Sequence, residues 1–247
     1  MTVKNIFDFL ESKFPVNTAC DFDNVGILIG DGNSAVTKVL IALDCTIDTV
    51  KEAKDNGCQL IITHHPVIFE PLKKILKGSI VYELIENGIS VISMHTNLDV
   101  GVGGVNDCLC KVLSPLTCET VIASDGYALK KCTLSPVLSD GLADILKSRL
   151  GGTVKYIPTD KLIKTVLICS GSGGNFVEDA INFDCDALIT ADVKHNQFLL
   201  AQHNGIALFD AGHFNTEDIV VEPLKDLLSK EFDIEFLTTH KSFIKSR

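Results

Sequence analysis

Short apolar runs alternate with helical patterns along most of the 247-residue chain, and this alternation limits the possible folds more than any other feature. Parallel strands cannot be joined by tight turns, so helical segments between the runs predict crossovers and sheets covered by helices. We therefore predict an α/β fold with mostly parallel or mixed sheets flanked by helices. The predicted strands are residues 39–43, 59–63, 89–94, 163–169, 187–190, 206–209 and 234–237.

The region between residues 101 and 124 mixes glycine, cysteine and a helical segment, and it precedes a weakly patterned middle. We place a boundary there, which predicts a first α/β lobe over residues 1–124 and a second over residues 125–247. An apolar content of 46% lets a chain of this length bury two modest cores.

Charge and hydropathy argue against two classes of partner. The formal net charge is −10, so the chain is poorly suited to neutralising a phosphate backbone, and we do not expect nucleic acid as its partner. No apolar run approaches the ~18 residues of a membrane helix, and the N-terminus lacks a secretory pattern. We predict a soluble cytoplasmic protein.

The nine cysteines include no C-x-x-C pair, and their number is odd. This usage predicts reduced, mostly buried thiols rather than disulfides. A metal site built from thiolates is the weaker of the two metal hypotheses.

The stronger metal hypothesis rests on histidines that directly follow predicted strands. Ligands of doubly wound sheets bind at the carboxyl ends of strands, where these side chains gather. Asp99 and Glu217 each follow one of the histidines by four residues. A helix beginning near His213 would place Glu217 on the same face, whereas Asn97 favours a loop after His95. The histidines are His64, His65, His95 and His213.

Imidazole and carboxylate ligands without thiolate suit zinc, iron, manganese or cobalt. One histidine at a strand end is usually only a hydrogen-bonded polar residue, but an adjacent pair at one strand end and single histidines at two others favour ligation. Six candidate ligands exceed one tetrahedral site and predict two divalent ions with open positions for water.

The chain resembles the NGG-interacting-factor-three-like family, whose members are named GTP cyclohydrolase 1 type 2 homologues. The resemblance extends over nearly the whole chain, in a short form without the inserted middle domain of longer members. Its motifs are Asp23-Asn24-Val25-Gly26-Ile27-Leu28, Ile61-Ile62-Thr63-His64-His65-Pro66, His95-Thr96-Asn97-Leu98-Asp99, and Gly212-His213 with Thr216-Glu217.

The resemblance implies two interlinked α/β lobes that both contribute to a dinuclear centre, within a ring-shaped homohexamer. It also implies that His64, His65, Asp99, His213 and Glu217 are the metal ligands, with Asp99 and Glu217 as bridges.

His95 has two alternative roles under the same resemblance. It either exchanges a proton with substrate as a catalytic residue or supports the ligands from behind. The chain departs from the family after the strand at residues 187–190. Asp192 and His195 lie where many members carry an acidic residue and paired histidines, and Asn196 replaces the second histidine.

Three further features have structural alternatives. Asp23 and Asn24 either orient a substrate or a ligand, which the resemblance favours, or form an ordinary turn. Asp44 is predicted to cap the following helix rather than to join the site. The glycine-rich loop at residues 170–174 matches no phosphate-binding pattern and is predicted to be a tight turn.

The leading functional hypothesis is a metal-dependent hydrolase acting on a nucleotide-like or phosphorylated small molecule. The alternative is a metal-binding regulatory or metal-delivery ring protein without turnover. A catalytic acid or base such as His95 would distinguish the first from the second.

Overall fold

The computed structural model describes residues 1–244. The chain forms two compact units, and the first is assembled from two separate segments. Met1–Val102 and Val220–Phe243 form the first unit, and Gly103–Ile219 forms the second. In the described part of the chain, no helix has the length and apolar character needed to span a membrane.

The first unit contains a five-stranded sheet in the order β1-β4-β3-β2-β11. β2, β3, β4 and β11 run parallel, and β1 pairs antiparallel with β4 at one edge. The strands are β1 (Gly26–Ile29), β2 (Lys38–Ala42), β3 (Leu60–Thr63), β4 (Ser90–Ser93) and β11 (Glu235–Thr239). The helices are α1 (Val3–Lys13), α2 (Ile47–Asp55), α3 (Ile80–Glu86), α4 (Thr96–Val100) and α10 (Val221–Glu231).

The second unit contains a six-stranded mixed sheet in the order β5-β6-β8-β9-β10-β7. β8, β9 and β10 run parallel, and the other pairings are antiparallel. The strands are β5 (Thr117–Ile122), β6 (Ala128–Val137), β7 (Lys155–Ile157), β8 (Ile163–Ser172), β9 (Ala187–Ala191) and β10 (Ala207–Asp210). The helices are α5 (Val105–Leu113), α6 (Ser139–Leu150), α7 (Val177–Asn182), α8 (His195–His203) and α9 (His213–Glu217).

Three short 3₁₀ helices complete the secondary structure of the described residues. They are Val16–Thr18, Gly174–Phe176 and Asp218–Val220.

The predicted α/β class is confirmed. Helix α2, which connects β2 to β3, shows which residues start and end such a crossover helix. Helix α2 starts after Thr46, whose side chain accepts a hydrogen bond from the Thr49 amide. It is followed by Gly57 at φ +68°, a left-handed conformation that suits glycine. The chain then enters β3, whose four residues are all buried.

The two units have different bounds from the predicted lobes 1–124 and 125–247. Helix α5 buries Leu109 and Leu113 in the core of the second sheet. The second unit therefore begins at residue 103, earlier in the sequence than the predicted boundary. The last segment returns to the first unit because β11 pairs in parallel with β2. Hydrophobic patterning carries no information about which sheet a late strand joins.

The predicted loop after His95 is wrong, because helix α4 occupies Thr96–Val100. Asn97 was expected to favour a loop by bonding to its own backbone. Its side chain is instead buried and donates a hydrogen bond to the carbonyl of Phe14 at 2.7 Å. Because the Asn97 side chain bonds to this distant carbonyl, it does not compete with the backbone hydrogen bonds of the helix.

Candidate metal centre

His64 is held at the end of β3 in the first unit, and only 2% of its surface is exposed. Its Nδ1 lies 3.0 Å from the carbonyl oxygen of Met94, which follows β4. A carbonyl can only accept, so Nδ1 carries the proton and Nε2 keeps its lone pair. That Nε2 lies 3.6 Å from Oδ1 of the buried Asp99.

His65 is anchored by Asp44, which follows β2. The distance from His65 Nδ1 to Asp44 Oδ1 is 2.7 Å. Asp44 was predicted to cap helix α2, and that prediction is wrong because Thr46 provides the side-chain cap. Pairing of β2 with β3 brings Asp44 to the imidazole instead.

His95 is anchored by Asp23, whose side chain is fully buried. The distance from His95 Nδ1 to Asp23 Oδ1 is 2.8 Å, and Thr96 donates to Oδ2 through both its amide and its hydroxyl. Burial alone would raise the pKa of Asp23, but these hydrogen bonds outweigh it and lower the pKa to about 2. The adjacent Asn24 donates to the carbonyl of Ile68 at 2.6 Å.

The three histidines of the first unit form one cluster. Their ring centroids are 5.0 Å apart for His64 and His65, 5.1 Å for His64 and His95, and 5.7 Å for His65 and His95. One ring nitrogen from each lies within 4.8 Å of the others. The predicted convergence of these strand ends is therefore present within the first unit.

The predicted pairing of His213 with Glu217 is present in the second unit. Helix α9 runs from His213 to Glu217, so the two side chains share one face, and Nε2 lies 2.9 Å from Oε2. Nδ1 of His213 lies 2.7 Å from Oδ2 of Asp192, which follows β9. His195, in contrast, is exposed at the first residue of α8.

Two carboxylates determine the protonation of His213. Burial of the ring opposes its positive charge, but the hydrogen bonds and charges of Glu217 and Asp192 outweigh burial and raise the pKa of His213 to about 9. A ring flanked by two carboxylates attracts either a proton or another cation at the same place.

Gly171 is a residue of this site that the sequence analysis took for part of a tight turn. It lies within β8 at φ +57°, and a Cβ added there would overlap Oε1 of Glu217. Its amide also donates to the hydroxyl of Thr216 at 3.1 Å. The Ser-Gly-Ser-Gly-Gly run was the only signal in the sequence that backbone must approach another group closely here.

Replacing Gly171 with alanine is expected to lower the free energy of unfolding by about 2–4 kcal/mol. The cost combines a left-handed backbone with displacement of the Glu217 carboxylate. Urea denaturation measures it. Gly205→Ala is the matched control, because Gly205 has φ +66° and nothing within 4 Å of the added Cβ. An equal loss in both variants would contradict a role for the Glu217 contact.

Asp23 is expected to make the first unit more stable above about pH 4 than below it. Its folded pKa of about 2 lies below the unfolded value of about 3.9, so the stabilisation is lost as pH falls through this range. Asp23→Asn should cost about 1–2 kcal/mol near neutral pH and flatten the profile between about pH 5 and about pH 2.5. Urea denaturation across that range tests it, with the exposed Asp21→Asn as control. An unchanged profile would contradict the assignment.

The four histidines of the two clusters share one property. Each Nδ1 contacts a carbonyl or carboxylate oxygen at 2.7–3.0 Å, so the same ring nitrogen is fixed in all four. Fixing one ring nitrogen by an oxygen acceptor orients the other for a metal or a proton.

Fold and side chains together define a two-unit α/β protein with oxygen-anchored histidines and carboxylates after its strands. A family model described as Duf34/NIF3 (NGG1p interacting factor 3) matches residues 1–243. A Clostridium perfringens relative named GTP cyclohydrolase 1 type 2 homolog is 33% identical over 260 residues, covering 98% of this chain and 97% of that protein. The chain belongs to the Duf34/NIF3 family, as the sequence motifs indicated.

Two solved structures show how far the likeness extends. Staphylococcus aureus hypothetical protein SA1388 superposes with a TM-score of 0.93 at 27% identity, covering 100% of this chain and 99% of that one. Reduced HcgD from Methanocaldococcus jannaschii has a TM-score of 0.84 at 26% identity, covering 96% and 97%. The fold is therefore shared along the whole length.

Proposed function

We propose that this chain binds two divalent metal ions per subunit and uses them to hydrolyse a nucleotide-like or phosphorylated small molecule. By the family resemblance, Asp99 and Glu217 would be the carboxylate ligands. Zinc, iron, manganese and cobalt all suit this donor set. The proposed ligands are His64, His65, Asp99, His213 and Glu217.

The observation that carries the proposal is the anchoring of Nδ1 in every proposed histidine ligand. An imidazole that needs only to be buried can satisfy its two nitrogens with any polar partners. Here an oxygen acceptor holds the same nitrogen each time, the arrangement that supports metal-binding histidines in proteins. The buried carboxylate of Asp99, 3.6 Å from Nε2 of His64, adds an oxygen donor beside this imidazole.

His95 is the proposed catalytic residue. When bound, a pair of metal ions lowers the pKa of water and polarises the bond under attack. Asp23 holds Nδ1 of His95 as the protonated nitrogen, so Nε2 can accept a proton from a reacting group and return it to the leaving group. With 19% of its side chain exposed, His95 is accessible to a small substrate.

Two phenylalanines beside His95 support a substrate with a planar ring. The Phe69 ring meets the His95 ring edge-on at 6.1 Å, and the Phe22 ring lies 6.2 Å from Phe69. Both phenylalanines are exposed, which is unusual for side chains of this size unless they serve an interaction. A heteroaromatic base could stack there while its polar part reaches the histidines.

The ring-shaped homohexamer and the cytoplasmic location belong to the same proposal. The hexamer is what the family resemblance implies, and the cytoplasmic location is the expectation from the sequence. The relatives are named GTP cyclohydrolase 1 type 2 homologs, and we take this activity as a hypothesis for the chain. GTP is therefore the first substrate to test.

A second candidate function is metal handling without turnover, as a regulatory or metal-delivery protein. The side chain of His213 is 32% exposed and that of Asp192 is 54% exposed, which favours exchange of an ion held there. Both candidates use the same ligands, so only turnover separates them.

The test is metal content and turnover of the full chain purified without chelator. We expect about two ions per subunit at the histidine and carboxylate ligands by elemental analysis, with any metal held by thiolates counted separately. We also expect hydrolysis of GTP that is lost on chelation and recovers when metal returns. Protein without metal would contradict both candidates, and two ions without turnover of GTP or other nucleotides would favour metal handling.

A further inference from the structure

Three cysteines that lie far apart in the sequence meet in the second unit. Cys110 is in the last turn of α5, and Cys118 and Cys132 face each other across the antiparallel pair β5 and β6. Their sulfur atoms are 3.0 Å apart for Cys118 and Cys132, and 3.3 Å for each of these with Cys110. The sequence has no C-x-x-C motif at these cysteines, because the β5–β6 pairing is what brings them together.

The cluster is open on one side and closed on the other. Cys110 and Cys132 are buried within the apolar core of the second unit, whereas Cys118 is exposed. Close by, Lys130 of β6 forms an ion pair with Asp107 of α5 at 2.6 Å. This pair fastens the helix to the sheet beside the three sulfur atoms.

Three converging thiols suit an ion that prefers sulfur. Soft thiolate ligands select zinc and copper(I) over magnesium or calcium. A tetrahedral zinc ion with Zn–S distances of about 2.3 Å places its sulfur atoms about 3.8 Å apart. The observed sulfurs are closer than this by about 0.5–0.8 Å, so all three side chains would rotate slightly to hold the ion. The open side beside Cys118 provides a fourth position for water.

We propose that Cys110, Cys118 and Cys132 form a further metal site, which holds Zn²⁺ through three thiolates. Each thiol loses its proton to solvent as its Zn–S bond forms, so loading releases up to three protons per ion. This site is separate in its ligands from the histidine and carboxylate groups and does not depend on the function proposed for them.

Cobalt titration of the reduced, metal-free full chain distinguishes the two kinds of site. Thiolate ligation of Co²⁺ produces an intense sulfur-to-metal absorption band, which nitrogen and oxygen ligands do not produce. We expect this band to saturate at one equivalent of thiolate-bound Co²⁺ and to disappear when Zn²⁺ is added. Loading of the histidine groups leaves it unchanged.

The variant Cys118→Ser should show a weaker band, since two thiolates remain, and should bind Zn²⁺ about 10-fold to 100-fold more weakly. Because Cys118 is exposed, this change should leave the fold intact, and Cys118→Ala provides a second version. Cys108→Ala is the control, because Cys108 lies on α5 with Cys110 but its sulfur contacts the carbonyl of Gly103 instead.

Three results would overturn the proposal. The first is absence of the band in wild-type protein whose thiols are fully reduced. The second is a band of equal intensity in Cys118→Ser and Cys118→Ala. The third is a disulfide between Cys118 and Cys132 that persists under reductant, shown by mass, because it would remove two of the three ligands.

Discussion

Replacing His64 with alanine is expected to lower the metal held by the histidine and carboxylate ligands from about two ions per subunit to one or none. His64 is the most enclosed of the proposed ligands, and its ring is fixed by the Met94 carbonyl on one side and faces Asp99 on the other. Truncation removes a ligand and leaves the carboxylate of Asp99 without a neighbouring imidazole. Elemental analysis of protein purified without chelator measures the effect.

The control for this experiment is His203→Ala, which removes an exposed imidazole at the end of α8. It should retain about two ions and the wild-type melting temperature. Glu217→Gln tests the contribution of the second unit and should lower occupancy of one ion while the fold persists, as circular dichroism can check. Two ions in His64→Ala would remove His64 from the ligand set, and two ions in Glu217→Gln would do the same for Glu217.

The sequence predicted the strands that carry the site because each is a short buried run with apolar residues at its centre and polar residues after it. β3 is such a run, and its four residues are all buried in the parallel part of the first sheet. His64 follows β3 directly, and His95 and His213 come shortly after the ends of β4 and β10, so strand prediction located them. The pairing of His213 with Glu217 followed from helical spacing in the same way.

The anchoring carboxylates were harder to find because they act across the fold. Asp44 is 21 residues before His65, Asp23 is 72 residues before His95, and Asp192 is 21 residues before His213. Each meets its histidine only through the assembled tertiary structure, which local patterning does not encode. The family motifs pointed to Asp23, whereas Asp44 looked like a helix cap.

Local patterning also failed to identify one of the strands of the second unit. β5 is largely exposed, so it lacks the continuous apolar run that identified the parallel strands. It pairs with β6 through six residues, and that pairing brings Cys118 opposite Cys132. The cysteine cluster was therefore invisible in the sequence for the same reason as the hairpin that builds it.

His95→Gln is expected to lower kcat for metal-dependent nucleotide hydrolysis by about 10²–10⁴-fold while the protein retains about two ions. Glutamine keeps a polar side chain but cannot exchange a proton near neutral pH. Asp23 remains in place, because it is also bound by Thr96. Turnover of GTP with matched metal loading, measured beside elemental analysis, separates loss of chemistry from loss of metal.

Asp23→Asn refines this test because it alters His95 without removing it. An amide oxygen can still accept from Nδ1 but no longer stabilises a positively charged ring, so kcat should fall by less than in His95→Gln. Unchanged turnover in both variants would exclude His95 as the acid or base. Loss of metal together with turnover in His95→Gln would make His95 a ligand, and the cluster of three imidazoles in the first unit would then hold an ion by itself.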